Sequence, residues 1–163
     1  GIDKCLLEKK LFGVFEHKSH NRVARLLRGF DDCFYVPHSR YTGIRMKDVE
    51  REPDLDILAT SDRAGLCICA SHDRRQIFML GHLEYDRDTL KLEYERDRAK
   101  GLATAVPENY FPDDDPAKTP YFKWKSHAYL LYANWLNYYV YQATPYDLSN
   151  ITMEFKPPVG HAG

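Results

Sequence analysis

The chain has 163 residues, 44% hydrophobic and 29% charged, and its 23 basic side chains nearly balance its 24 acidic ones. This composition excludes a disordered chain, and the balanced charge argues against nucleic acid as a partner. The length suits one domain or part of one, and we expect no internal domain boundary over residues 1–163.

The cysteines and the N-terminus indicate a cytoplasmic location. The 4 cysteines show no zinc-type pairing and are too sparse for a secreted disulfide scaffold. The first residues have neither the basic start nor the apolar segment of a signal peptide. Residues 126–146 contain no Asp, Glu, Lys or Arg, but their many tyrosines and amides would be costly in hydrocarbon. We therefore expect a helix packed in protein and no membrane partner.

The first half of the chain reads as short strands joined by turns. Two continuous apolar runs, residues 66–70 and 77–80, are typical of strands covered on both faces. A short helix is predicted over residues 46–51, ended by Pro53. The predicted strands are residues 11–15, 33–36, 55–60, 66–70 and 76–80.

The second half is predicted to be helical, which makes the fold class α/β. Asp88 is a good N-cap for a helix over residues 89–100, and Gly101 suits the position after its end. A loop rich in proline and aspartate follows, and Thr119-Pro120 then predicts the start of a long helix to about residue 142. The predicted apolar face of that helix comprises Trp124, Ala128, Leu131, Trp135 and Tyr138.

The strongest chemical signal is the pair His82 and Glu84, placed directly after an apolar strand and before a helix. Open α/β sheets bind ligands at the carboxyl ends of their strands. In an extended segment, residues two apart point the same way, so Glu84 could hold the His82 imidazole in one tautomer. The pair predicts a base with its orienting carboxylate.

A nucleophile for this base is harder to find. Cys67 and Cys69 lie within an apolar strand and are more simply core residues. Cys33 follows Asp32, whose carboxylate would disfavour a thiolate, and Cys5 lies in a segment that reads as a loop. From spacing alone, the chain holds half of an active site.

Seven motifs in a fixed order resemble the C-terminal half of homoserine O-acyltransferases of the MetA type, also called homoserine transsuccinylases. The resemblance covers nearly the whole chain. The motifs are FGVFEH at 12–17, RGFDDCF at 28–34, PHSRY at 37–41, GHLEYD at 81–86, NYFPDDDP at 109–116, NWLNYYVYQ at 134–142 and TPYDL at 144–148.

The resemblance implies a fold and a reaction. The expected fold is the class I glutamine amidotransferase type, a flavodoxin-like three-layer sandwich, of which this chain would be the C-terminal part. The expected reaction transfers an acetyl or succinyl group from acyl-CoA to the hydroxyl of L-homoserine, in methionine biosynthesis. It needs no cofactor and uses a Cys-His-Glu triad in a ping-pong mechanism.

Site residues follow from the same resemblance. His82 matches the family's proton acceptor and Glu84 its acidic partner, whereas Lys10, Ser39 and Arg96 match residues that contact substrate. The sequence departs from the family in two respects. The family usually has proline where this chain has Leu83, and its acyl-accepting cysteine lies upstream of the point that matches the first residue. We therefore expect the missing N-terminal half as a partner, and no activity from this chain alone.

Simpler interpretations stand beside these roles. Arg96 could pair with a neighbouring acid on a helix surface, Lys10 could be a solvated charge, and Ser39 could bond its own backbone in a turn. The aspartate runs and the histidines lack the spacing of metal ligands, so no metal is expected. The aromatic residues between 124 and 141 predict core packing or a homodimer contact.

Two other functions remain open on the sequence. A glutaminase or peptidase-like hydrolase of the same fold would use water as the acceptor and would release ammonia or peptide without CoA. A non-catalytic assembly fragment would associate through the aromatic helix, and replacing His82 would leave its function unchanged.

Overall fold

A computed structural model describes residues 1–21 and 23–143, so the motif at 144–148 and the end of the uncharged segment lie outside the described residues. The described chain is built on a five-stranded sheet with the strand order β2-β1-β3-β4-β5. Every neighbouring pair in it is antiparallel. The strands are β1 (Lys4–Ser19), β2 (Cys33–Ile44), β3 (Leu55–Ser61), β4 (Gly65–Ser71) and β5 (Ile77–Met79).

Three α-helices accompany the sheet: α1 (Met46–Val49), α2 (Thr89–Ala99) and α3 (Lys125–Trp135). The last continues as a π-helical segment, Leu136–Tyr141. Short 3-10 turns occur at Arg25–Leu27 and Pro112–Asp114. Within the described ranges, no helix has the length and apolar character needed to cross a bilayer.

The first two strands are much longer than the sequence predicts. β1 extends on both sides of its apolar centre because its flanking charged residues lie largely on the exposed side of the ladder. As a result Cys5 lies in β1 and not in a loop. β2 continues through Pro37, which is tolerated because β2 lies at an edge of the sheet, where a residue without an N–H can face outward.

The two continuous apolar runs differ in how far they are buried. Residues 66–70 of β4 are all buried, as predicted for a strand covered on both faces. β5 was expected to be covered in the same way, but this is wrong: it forms the other edge of the sheet, and Phe78 is 43% exposed. Apolar composition alone does not distinguish an edge strand from a central one.

The predicted helix α2 is confirmed, with Gly101 at φ +75° just beyond its end. Asp88 precedes it without making a side-chain cap. α1 is shorter than predicted, and α3 begins at Lys125 and not at Pro120. The segment before α3 is not helical, and it carries Trp124 into the core with no solvent exposure.

One large core joins the sheet to both longer helices. Leu90 of α2 and Leu131 of α3 pack in the same cluster as the aromatic and aliphatic side chains of β1 and β2. Trp135 of the predicted apolar face is 42% exposed instead. The central members of the cluster are Phe12, Val14, Phe34, Val36, Tyr110 and Trp124.

A close backbone contact fixes β1 against the loop that precedes α3. Glu108 donates its N–H to the Phe12 carbonyl and accepts the Val14 N–H, both at 2.9 Å. Between these bonds lies Gly13, whose φ is +149°. A methyl group at Gly13 would lie 2.4 Å from the Glu108 carbonyl oxygen, so only glycine fits here.

Replacing this glycine tests the contact. We expect Gly13→Ala to lower the free energy of unfolding by about 3 kcal/mol or more, because backbone atoms would have to separate. Gly101→Ala is the matched control: its φ is also positive, but the added methyl group meets nothing within 4 Å. It should cost only about 1 kcal/mol. Urea unfolding of both variants measures this difference, and equal losses would contradict the explanation.

Candidate active site

The His82 and Glu84 side chains meet in the loop after β5. His82 Nδ1 lies 2.7 Å from Glu84 Oε1. The contact arises in a turn, in which Tyr85 donates its N–H to the His82 carbonyl at 3.2 Å, and not from the alternation of an extended strand. The expected proximity is therefore present, although the backbone geometry behind it differs from the expectation.

The loop is held from several sides. The His82 N–H donates to the Pro37 carbonyl of β2 at 2.9 Å. The His82 ring stacks on Tyr85 with centroids 4.5 Å apart and planes 7° apart, and the Tyr85 carbonyl accepts the Trp124 indole N–H at 2.8 Å. Leu83 is 2% exposed and packs in the main core. Burial of this side chain thus anchors the loop.

This arrangement selects a tautomer. An ionised carboxylate only accepts hydrogen bonds, so the contact with Glu84 requires the proton of His82 on Nδ1. The lone pair is then on Nε2. The His82 side chain is 35% exposed, so this nitrogen can meet a reactant from outside.

A second polar cluster brings together residues that are far apart in the sequence. Lys10 of β1 donates to Glu93 Oε1 at 2.8 Å, and the Ser39 hydroxyl of β2 donates to the same oxygen at 2.9 Å. Lys10 and Glu93 are only 13% and 19% exposed. The solvated-charge interpretation of Lys10 and the turn interpretation of Ser39 are therefore wrong.

Arg96 completes this cluster from α2. Its guanidinium lies 2.7 Å from Asp97 and 3.6 Å from Glu93, as expected for a helix residue that pairs with neighbouring acids. Hydrogen bonding to Arg96 lowers the pKa of the Asp97 carboxyl. The Arg96 side chain is 55% exposed, so its remaining donors can reach a ligand.

Glu93 is the member that sequence reasoning missed. Its only local signal is the three-residue spacing from Arg96 on one helix, which is common on helix surfaces. Burial, and then the negative charges of Glu93 and Glu84, raise the pKa of the Tyr85 hydroxyl. The charge of each cluster therefore acts on the Tyr85 hydroxyl.

The thiols behave as core residues or surface groups. Burial raises the pKa of Cys67 to about 12 and also raises that of Cys69, the opposite of what a nucleophile needs. Both were predicted to be core residues, which is confirmed by their burial. All four cysteines lie in the described residues as free thiols.

One group among the described residues has the ligand atoms of a metal site. Nitrogen and sulfur atoms of His17, His38 and Cys67 lie within 4.8 Å of one another, and all three residues are buried. Two features indicate that the two histidines form a hydrogen-bonded pair and not a metal site. The imidazole Nε2 atoms are 3.1 Å apart, and the Arg40 guanidinium Nε lies 3.4 Å from His38 Nδ1, where its positive charge would repel a cation.

The shared carboxylate can be tested by stability. We expect Glu93→Gln to lower the free energy of unfolding by about 1–2 kcal/mol, because it removes the nearer counter-charge of the largely buried Lys10 ammonium, at 2.8 Å, and leaves only Asp97 at 3.7 Å. Glu95→Gln on the same helix is the control, since Glu95 is 55% exposed and pairs only loosely with Lys91 at 3.9 Å. It should change stability by less than about 0.5 kcal/mol. Urea unfolding compares them, and equal effects would contradict the role of Glu93.

Comparison with known structures shows the fold. A glutamine amidotransferase from Methylobacillus flagellatus superposes with a TM-score of 0.53 at 14% identity, over 83% of this chain and 55% of that one. The expected α/β fold of the glutamine amidotransferase type is thereby confirmed.

Sequence comparison gives the family. A protein named homoserine O-acetyltransferase from Geobacillus kaustophilus is 58% identical over 90% of this chain. One from Acetivibrio thermocellus is 55% identical over 93%. The chain spans about half the length of these curated relatives, 49% and 50%. The family model described as homoserine O-succinyltransferase matches residues 1–146, and the chain belongs to that family.

Proposed function

We propose that the longer protein represented by this chain transfers an acyl group from acyl-CoA to the hydroxyl of L-homoserine. The observation that carries the proposal is the 2.7 Å contact between His82 and Glu84 in a member of the homoserine O-succinyltransferase family. The names of the relatives favour acetyl-CoA as the donor, and the family description favours succinyl-CoA. They also favour a transferase over a hydrolase.

His82 acts as a base in both halves of this reaction. In the first half it takes the proton of a cysteine thiol, and the thiolate attacks the thioester carbonyl so that CoA leaves as a thiol. In the second half His82 takes the proton of the homoserine hydroxyl, which attacks the enzyme thioester and releases the cysteine. Glu84 stabilises the imidazolium that forms each time.

The nucleophilic cysteine belongs to a preceding N-terminal segment. Support comes from the buried state of Cys67 and Cys69 and from the roughly twofold length of the relatives. The four unpaired thiols suit the cytoplasm, where such a biosynthetic enzyme would act. The reaction needs no cofactor, since acyl-CoA is consumed as a substrate.

Lys10, Ser39 and Arg96 contact the substrate in this proposal. Their convergence around Glu93 supports a common binding region, because one ligand can reach all three. The Arg96 guanidinium suits the homoserine carboxylate, whose planar oxygens match its donors.

A homodimer is proposed on the exposed face of α3. Tyr129, Tyr132 and Leu136 are 79%, 39% and 40% exposed, and their spacing places them along one side of the helix. Trp135 beside them is 42% exposed. Contiguous aromatic surface of this kind is typical of protein interfaces, and a second copy of the chain would cover it.

Measurements of enzyme activity test the proposal that His82 is the base. In the longest natural polypeptide that contains residues 1–163, His82→Ala should lower kcat/KM by about 10³-fold or more, and Glu84→Gln by about 10²-fold. Asp86→Asn in the same loop is the control and should leave activity unchanged. The assay follows CoA release from acetyl-CoA and succinyl-CoA with and without L-homoserine.

The same assay separates the alternatives. Release of CoA that requires homoserine supports the transferase. Ammonia release from glutamine without CoA would replace it by a hydrolase. Full activity of the His82→Ala variant would refute the role of His82 as the base, and the absence of both activities from the unsubstituted polypeptide would leave only the non-catalytic interpretation.

The oligomeric state of the protein tests whether the exposed aromatic face of α3 forms a dimer contact. The same polypeptide should sediment as a dimer, and the double substitution Tyr129→Lys with Trp135→Lys should make it monomeric by placing like charges against each other. Leu92→Lys is the control, because Leu92 is also exposed, at 63%, but lies on α2. A monomeric unsubstituted protein would overturn the dimer.

A further inference from the structure

Two imidazoles lie buried beneath the His82 loop. His17 of β1 and His38 of β2 have no solvent exposure, and their rings stack with centroids 5.1 Å apart. Burial lowers the pKa of His17 to about 4 and that of His38 to about 2. Both rings are therefore neutral at neutral pH, and the proposed reaction assigns no step to either.

A chain of hydrogen bonds fixes the tautomers of this pair. The Arg40 Nε–H points to His38 Nδ1 at 3.4 Å, which requires the His38 proton on Nε2. His38 Nε2 then donates to His17 Nε2 at 3.1 Å, and the His17 Nδ1–H donates to the Phe15 carbonyl at 2.9 Å. Arg40 is itself held by the carbonyl oxygens of Thr42 and Ala64. Each ring therefore has a single orientation.

The His38 ring supports the loop directly. A methyl group at Gly81 would lie 3.0 Å from His38 Nε2, 3.1 Å from Cε1 and 2.4 Å from Val36 Cγ1. The Gly81 backbone thus rests on the imidazole edge. Pro37, the neighbour of His38, accepts the His82 N–H at 2.9 Å. Contacts from residues 36–38 therefore reach residues 81 and 82 in succession.

We propose that His38 is a positioning residue for His82: its locked neutral imidazole supports Gly81 and so sets the place from which the His82 ring reaches the substrate. The inference rests on the proposed function, because it assigns His38 an effect on the step that His82 performs. A donor is needed at this position because His17 Nε2 accepts a hydrogen bond from His38 while its own Nδ1–H donates to the Phe15 carbonyl.

The test measures kcat and KM separately in the longest natural polypeptide that contains this chain. His38→Leu keeps the approximate volume but removes the donor, and we expect kcat to fall by about 10²-fold with both KM values within about threefold. His38→Gln keeps a neutral donor near the Nε2 position and should restore kcat to within about fivefold of the original, an expectation drawn from the value of one hydrogen bond. Gly81→Ala should reproduce the kcat loss, because the methyl group would displace the loop.

A matched core variant separates positioning from stability. Phe34→Leu alters another fully buried ring on β2 and should lower the unfolding temperature without changing kcat at a temperature where all variants are folded. Equal kcat losses in the Phe34→Leu and His38→Leu variants, or no rescue by glutamine, would overturn the proposal. Failure of the proposed function is distinct from this, since the unsubstituted polypeptide would then show no release of CoA that requires homoserine.

Discussion

In the antiparallel register of β1 and β2, Gly13 is opposite His38 and Phe12 is opposite Ser39. This pairing places the polar residues that β1 and β2 contribute to the candidate site. It sets Lys10 close enough to Ser39 for both to reach one carboxylate oxygen, and it stacks His17 on His38 behind the loop. A slip of one residue would turn these side chains to the other face of the sheet. The close contact between Gly13 and Glu108 holds the register from outside the ladder.

In the proposed function, one polar cluster supplies the base and the other contacts the substrate. The His82 imidazole makes a hydrogen bond to Glu84 within one turn, whereas Glu93 accepts hydrogen bonds from Lys10 and Ser39 on two strands. The negative charges of both Glu84 and Glu93 raise the pKa of the Tyr85 hydroxyl. The members of the first cluster are close in the sequence, whereas those of the second are brought together by the tertiary fold.

This division explains what the sequence could predict. The helix α2, the buried strand β4 and the contact between His82 and Glu84 were predicted because their signals are local: a capping pattern, an apolar run and a two-residue spacing. The extent of β1, the exposed edge β5 and the late start of α3 depend on which neighbours cover each segment. Glu93 and the pair of buried histidines could not be found from spacing, because Glu93 lies 83 residues from Lys10 and the two histidines are 21 residues apart in the chain.

Because Leu83 is buried, the conformation of the loop that contains His82 depends on the packing of the core. A loop stiffened by proline keeps its shape through its own covalent geometry, whereas this loop depends on a side chain packed among Val36, Leu90 and Trp124 in the same cluster. Local opening of residues 81–85 would expose that side chain to water. The loop and the interior are thus expected to melt together, so amide hydrogens in the two should exchange with solvent in one cooperative event.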